Sequence, residues 1–93
     1  MVVGIVRVEM HLPAARSLKD KRQVVRALKD RIRERVRAAV SEVDHQDLWQ
    51  RAALGVAVVA PDGGQVREQL DHVRRLVDQA YEAQVTDWQE KIE

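Results

Sequence analysis

Residues 2–13 read Val2-Val3-Gly4-Ile5-Val6-Arg7-Val8-Glu9-Met10-His11-Leu12-Pro13. From Val6 onward the period is two: Val6, Val8, Met10 and Leu12 fall on one face, and Arg7, Glu9 and His11 on the other. Side chains alternate across an extended chain, so this pattern predicts a strand with one buried face. Pro13 ends it, because proline has no amide hydrogen for a neighbouring strand.

The period then lengthens. Ser17 offers an N-cap, with Asp20 at the third helical position as a short capping box. A first helix is predicted from about Leu18 to Arg37. On a helical wheel, Val24, Leu28, Ile32, Val25, Leu18 and Val36 share one arc of about 120°. Ala38 to Val43 reads as a second strand whose register stays open, since Val40 and Val43 differ in parity. The stretch Asp44-His45-Gln46-Asp47 has loop chemistry. A third strand, about Ala53 to Ala60, has Leu54, Val56 and Val58 on one side and Ala53, Gly55, Ala57 and Val59 on the other. Pro61-Asp62-Gly63-Gly64 predicts a turn. A second helix of about Gln65 to Ala83 follows, on which Val66, Leu70, Val73, Val77 and Ala80 are spaced four, three, four and three. The tail from Val85 to Ile92 fits an edge strand.

The order βαββαβ predicts an α+β, ferredoxin-like sandwich with an antiparallel sheet ordered 4-1-3-2. Right-handed crossovers would put both helices on one sheet face. The other face would carry Val3, Ile5, Ala53, Gly55, Ala57 and Val59, which are small or apolar for a wetted surface. A contiguous apolar patch is usually covered, so a homodimer through this face is expected.

With 93 residues, 45% of them apolar and 33% charged, the chain has the length and composition of a single ordered domain, residues 1–93. No apolar run approaches the roughly 18–20 residues needed to span a bilayer. The first residues also lack the basic and apolar regions of a secretory signal. The expectation is a soluble, cytoplasmic protein with no membrane partner. The absence of cysteine excludes disulfides, thiolate catalysis and cysteine-ligated zinc.

Charge is the most informative property. The net charge is +1, yet residues 1–37 hold eleven Lys and Arg against four acids, and residues 38–93 hold five against eleven. Lys19, Arg22, Arg26, Lys29, Arg33 and Arg37 fall on one flank of the first helix, between about 20° and 100° from Leu18 on the wheel. A row of cations of this length matches the phosphates of a polyanion, and the guanidinium group suits phosphate geometry. The alternative is a solvated face with intrahelical pairs, such as Asp30 with Arg26 or Arg33 and Glu34 with Arg37. Phe is absent and the third strand has no aromatic residue, so the base-stacking sheet of RNA-recognition motifs is excluded, and any nucleic-acid contact is expected to be electrostatic and shape-based rather than base-stacking.

A second constellation follows from topology. The first and second strands run the same way, bringing His11 and Asp44-His45 to one edge with Asp47, Trp49 and Arg51. Lys21 falls inside the apolar arc but only one turn into the helix, so it can reach over the sheet end toward a carboxylate. Two histidines and two aspartates could bind a divalent metal or move protons. No spacing here matches a metal motif, however, and no nucleophile stands beside the histidines. The simpler reading is a hydrogen-bonded loop anchored by Trp49. Gly63-Gly64 makes no phosphate fingerprint, His72 reads as a surface residue, and Trp88 as core or interface.

Two segments resemble a known family. They are Ser17-Leu18-Lys19-Asp20-Lys21-Arg22, just after His11-Leu12-Pro13, and Glu42-Val43-Asp44-His45-Gln46-Asp47-Leu48-Trp49-Gln50-Arg51-Ala52, running into Leu54-Gly55-Val56-Ala57. Together they resemble the bacterial YlxP-like family, a domain of unknown function. The match extends to about Ala60 and more loosely through the second helix. The resemblance implies a ferredoxin-like fold. It also implies a gene neighbourhood shared with ribosome-binding factor A and translation initiation factor 2, and so a role near the ribosome or in RNA handling. It supplies no catalytic residues. The expectation is a non-enzymatic module with no cofactor and no metal, contacting the ribosome or a structured RNA through the basic row. The first alternative is a protein-interaction or ligand-sensing oligomer using the open sheet face. The second is a metal or acid/base enzyme at His11, Asp44, His45 and Asp47.

Overall fold

Strand β1 (Val2–His11) lies between two neighbours in the computed structural model, which describes Met1–Glu93. Helix α1 (Leu18–Arg35), strands β2 (Ala39–Asp44) and β3 (Arg51–Ala60), helix α2 (Gly63–Gln79) and strand β4 (Gln84–Ile92) complete the order βαββαβ. The sheet reads β2-β3-β1-β4 with every neighbouring pair antiparallel. This is the ferredoxin-like arrangement read from the alternation and the element order.

Val6, Val8 and Met10 of β1 and Leu54, Val56 and Val58 of β3 face the helices, with Val25, Leu28 and Ile32 of α1 and Val66, Leu70, Val73 and Val77 of α2 packed on them. These residues form one buried cluster, and Trp88 of β4 packs half-buried against it. The Arg74 guanidinium of α2 stands 5.0 Å from the centre of the Trp88 ring. Cation and ring together close the β4 side of the core.

Three helix boundaries differ from the sequence reading, and β3 begins two residues earlier than expected, at Arg51. Helix α1 stops at Arg35, because Val36 is extended (φ −130°, ψ 132°) and turns its buried side chain toward the sheet. Arg37 therefore lies beyond the helix. Helix α2 begins at Gly63, not Gln65, since Asp62 caps it by accepting a hydrogen bond from the Gln65 amide at 2.9 Å. The two glycines are thus the first turn of a helix. At its far end α2 stops at Gln79, and the amide of Ala83 donates back to the Ala80 carbonyl in a tight turn.

The register of β2, which the sequence leaves open, comes from pairing with β3. Val40 faces the core and Val43 the open face, and the register against β3 shifts between Glu42 and Asp44. A bulge re-aims the side chain that follows it. Here it brings Asp44 onto the open face, whereas strict alternation would have put it beside Glu42.

Two glycines test the packing. A Cβ at Gly4 would overlap Val66 and come within 2.9 Å of Leu70 Cδ1, both buried in α2. A Cβ at Gly55 would lie 2.8 Å from Val43 Cγ1, a side chain that is half exposed and free to turn away. Gly4→Ala should therefore destabilise the protein by about 1–3 kcal/mol through overpacking. Gly55→Ala should be close to neutral, as measured by urea unfolding of the two variants.

Candidate functional site

Ser17 accepts a hydrogen bond from the Asp20 amide at 3.0 Å, and Asp20 in turn accepts one from the Arg16 amide at 3.0 Å. This reciprocal cap fixes where α1 starts, and with it the rotation of every residue on the helix. Lys19, Arg22, Arg26, Lys29 and Arg33 follow at steps of three, four, three and four, a row of about 21 Å along one flank. Arg33 donates to the Val40 carbonyl of β2 at 2.7 Å, so this flank overlies the outer edge of the sheet. Arg33 also stands 3.9 Å from Asp30. Lys19, Arg22, Arg26 and Lys29 have no carboxylate within 4.0 Å, and neither does Arg37 beyond the helix end. Of the intrahelical pairs considered from sequence, only Asp30–Arg33 forms.

Lys21 points the other way. Its side chain is 0% exposed, the only charged side chain in the core layer. The ammonium lies 2.7 Å from Glu42 Oε2 of β2 and donates to the His45 carbonyl. That carboxylate oxygen is itself buried and accepts no other bond. The carboxylate that the wheel position anticipated for Lys21 is thus Glu42.

His45 has a φ of +62°, the one non-glycine residue in the left-handed region. Its carbonyl accepts from both Lys21 and the Leu48 amide, the latter at 3.0 Å. Gln50 donates its side-chain amide to the carbonyls of Pro13 and Ala15, at 3.2 Å each, and its own carbonyl accepts from Leu12 at 2.9 Å. The loop is therefore held by Lys21 and Gln50 against the start of α1. Trp49 is not the anchor expected from sequence, because the residue is 53% exposed.

The candidate edge divides in two. On the open sheet face, Glu9 Oε1 lies 2.8 Å from His45 Nε2 and accepts from Arg51 at 3.3 Å, while Glu9 Oε2 accepts from Arg7 Nε at 3.1 Å. An ionised carboxylate only accepts, so Nε2 carries the proton shared with Glu9. Asp44 Oδ2 accepts from Arg7 at 3.0 Å, and Oδ1 from the His45 amide at 2.8 Å. All four carboxylate oxygens are occupied, and Ala53, flanked by Glu9 and Asp44 in the sheet, is fully buried. This network ties β1, β2 and β3 together and leaves no carboxylate oxygen of Glu9 or Asp44 without a donor. His11 and Asp47 do not join it; they line a separate depression with Leu48, Trp49, Gln50 and Arg51. No group of three or more His, Asp and Glu side chains is disposed to hold a metal ion.

The rest of the open face is apolar and concave. Ile5, Val43 and Val59 are exposed to 45%, 44% and 55%. Ile5 and Val43, with Ala57 and Gly55, floor a groove of about 610 Å³ rimmed by Arg7, Gln89 and Lys91.

The profile of a family described as "Protein of unknown function (DUF503)" matches residues 3–90. The chain belongs to this family. The "Uncharacterized protein YlxP" of Bacillus subtilis (strain 168) is 31% identical to it over 77 residues, 83% of this chain and 84% of that one. Among solved structures, a de novo designed protein with a ferredoxin fold superposes with a TM-score of 0.57 at 13% identity, covering all of this chain and 84% of its own. A C-terminal segment of the alpha subunit of aIF2 from Pyrococcus abyssi gives 0.51 at 14% identity, covering 97% of this chain and 49% of its own. At such identities the likeness is one of fold. No helix of the DUF503 chain is long and apolar enough to cross a membrane.

Sequence reasoning passed over Glu9, Arg7 and Glu42. A signal existed for the first two, because consecutive outward charges on a strand that proves central need partners across the sheet. In this DUF503 member, burial pushes the Glu9 carboxyl up, but hydrogen bonds and charge interactions with His45 and Arg7 outweigh it and leave it below its ordinary value. The His45 amide and the Arg7 guanidinium hold Asp44 low as well. The native state therefore binds fewer protons than the unfolded chain at mildly acidic pH. Its stability is fully present above the unfolded carboxylate value of about 4.3, and is lost as pH falls through the native one. Glu9→Gln should flatten the acid limb of a Tm-against-pH profile below about pH 4.5.

Removing the Lys21 ammonium strands a buried carboxylate. Lys21→Met should cost about 3 kcal/mol by urea unfolding. Adding Glu42→Gln should restore part of that loss, because no uncompensated charge then remains.

Proposed function

We propose that this chain is a non-enzymatic, cytoplasmic module that contacts the phosphates of structured RNA or the ribosome through the outer flank of α1. One observation carries the reading: Lys19, Arg22, Arg26 and Lys29 form a row on one helix flank with no carboxylate within 4.0 Å of any of them. Intramolecular ion pairs would have spent these charges, and at Arg7, Lys21 and Arg51 they do. Charge segregation supports it. The sheet order puts α1 and β2 at one edge, while Asp87, Glu90 and Glu93 belong to the opposite edge at β4. A polyanion would meet the molecule in one orientation.

A second reading, self-association as a homodimer through the open sheet face, is favoured by the half-exposed Ile5, Val43 and Val59. Along β4 that face carries Asp87 at one end and Lys91 at the other. A twofold packing would set each acid against its partner's base.

Binding to ribosomal subunits and to a structured RNA fragment across a salt series tests the first reading. With about five phosphate contacts, affinity should fall on the order of a hundredfold between roughly 50 and 200 mM salt. It should disappear when Lys19, Arg22 and Arg26 are all changed to Glu. Binding unchanged in that variant would remove the row from the account. Sedimentation in the same series reads the second proposal, since apolar association should persist at high salt.

A further inference from the structure

The exposed Trp49 ring lies at the end of the molecule where the cation row begins. Lys21, one turn into α1, bonds the His45 carbonyl, and Gln50 bonds the carbonyls of Pro13 and Ala15, so the loop is clamped against the start of that helix. Lys19 and Arg22 stand in the same first turns. A chain of phosphates following the row toward its N-terminal end would arrive at this loop.

The ring sits in a built depression. His11, Asp47, Leu48, Trp49, Gln50 and Arg51 line a shallow hollow of about 520 Å³, within the range of small-ligand sites. Leu48 and Trp49, 44% and 53% exposed, give it an apolar floor. His11 and Asp47 make no side-chain hydrogen bond or ion pair within the chain, although nearly every other charged group near them is engaged. A large ring held out in water costs free energy that burial among its neighbours would have avoided. The same loop spends its hydrogen bonds on staying in place, so the ring is presented on a fixed support.

An apolar plane edged by a donor-acceptor rim, beside unpaired cations, has the chemistry of a site for one unstacked nucleobase. We propose that Trp49 stacks a base of single-stranded RNA, with His11 and Asp47 facing the base edge, while the α1 row holds the adjoining phosphates. This rests on the phosphate-contacting reading of α1 and adds to it a preference for an unpaired nucleotide. The sheet, which has no aromatic residue on β3, takes no part.

The test uses an unstructured oligoribonucleotide of about ten nucleotides and a duplex of the same length. Trp88→Phe supplies a background in which Trp49 is the sole indole reporter. The expected result is tighter binding of the single strand, with quenching of Trp49 fluorescence. Trp49→Ala should weaken single-strand binding roughly five- to a hundredfold, and Trp49→Phe should retain most of it, with the salt slope unchanged in both. Circular dichroism of each variant checks that the fold persists. If Trp49→Ala binds every oligonucleotide as the parent does, and the Lys19/Arg22/Arg26 reversal still abolishes binding, the base site is overturned and the row stands. The exposed ring is then left for a protein contact. If the parent binds ribosomal subunits or structured RNA but neither oligonucleotide, the base site is overturned and the row stands; if it binds none of them, both readings fall.

Discussion

The arrangement of this protein depends on one ammonium group placed where water cannot reach it. Lys21 enters the core layer between α1 and β2, meets the Glu42 carboxylate at 2.7 Å and bonds the His45 carbonyl. A buried charge is tolerated only with its opposite and with its remaining donors satisfied, so helix, strand and loop must come together for any one of them to be stable. The consequence reaches past the pair. With Lys21 pointing inward, Arg22 is turned outward by about 100°, and Arg26, Lys29 and Arg33 follow it along the helix. The same bond helps hold His45 at a φ of +62°, a conformation that costs a non-glycine residue free energy. One interaction thus sets both the azimuth of the cation row and the course of the Asp44–Gln50 segment.

Much of this was legible in the amino acids. The alternation in β1, the wheel of α1 and the element order fixed the topology, because period and order are properties of the chain itself. Lys21 stood out for the same reason: a lone cation inside an apolar arc near a helix end must find a carboxylate. Where the reading departed from the structure, two local rules competed. Pro61-Asp62-Gly63-Gly64 carries turn chemistry, but Asp62 is also a helix cap, and the capping bond to Gln65 draws both glycines into α2. Val36 belongs to the helical apolar arc and yet is β-branched, and in the structure it is extended and buried. Trp49 misled for another reason. Large aromatic residues are usually buried, and nothing in a single sequence shows that Lys21 and Gln50 already hold the loop.

The open-face network was the least legible part, because a bulge decides it. Had β2 kept its alternation, Asp44 would share a face with Glu42 and compete for Lys21. The register shift between Glu42 and Asp44 turns Asp44 to the other side, where Arg7 and the His45 amide receive it. Two acidic residues two positions apart thus end in separate networks on opposite faces of the sheet. Glu42 balances the one buried ammonium, and Asp44 joins Glu9, Arg7, His45 and Arg51. Bulge positions depend on the partner strand, so the chain alone does not announce them.

Designed proteins share this topology without sharing the sequence, so shape cannot be what distinguishes this chain. What distinguishes it is how the charges are spent. Arg7, Arg51 and Lys21 are consumed by Glu9, Asp44 and Glu42, and these pairs cover the sheet end and fix the loop. Lys19, Arg22, Arg26 and Lys29 of α1 are withheld from such pairing, although Asp20, Asp30 and Glu34 lie on the same helix and two of them have basic neighbours at helical spacing. Asp20 is committed to the cap, leaving Lys19 and Arg22 without it. Asp30 turns toward Arg33 at 3.9 Å, and Arg26 stands free. Pairing costs side-chain entropy and returns little at a wet surface, which explains why single pairs fail to form there. It does not explain why so many like charges share one flank, where each raises the free energy of the next. Repulsion of that kind is relieved by an external anion, and the row begins in the first turns of α1, against which the loop carrying the exposed Trp49 is held.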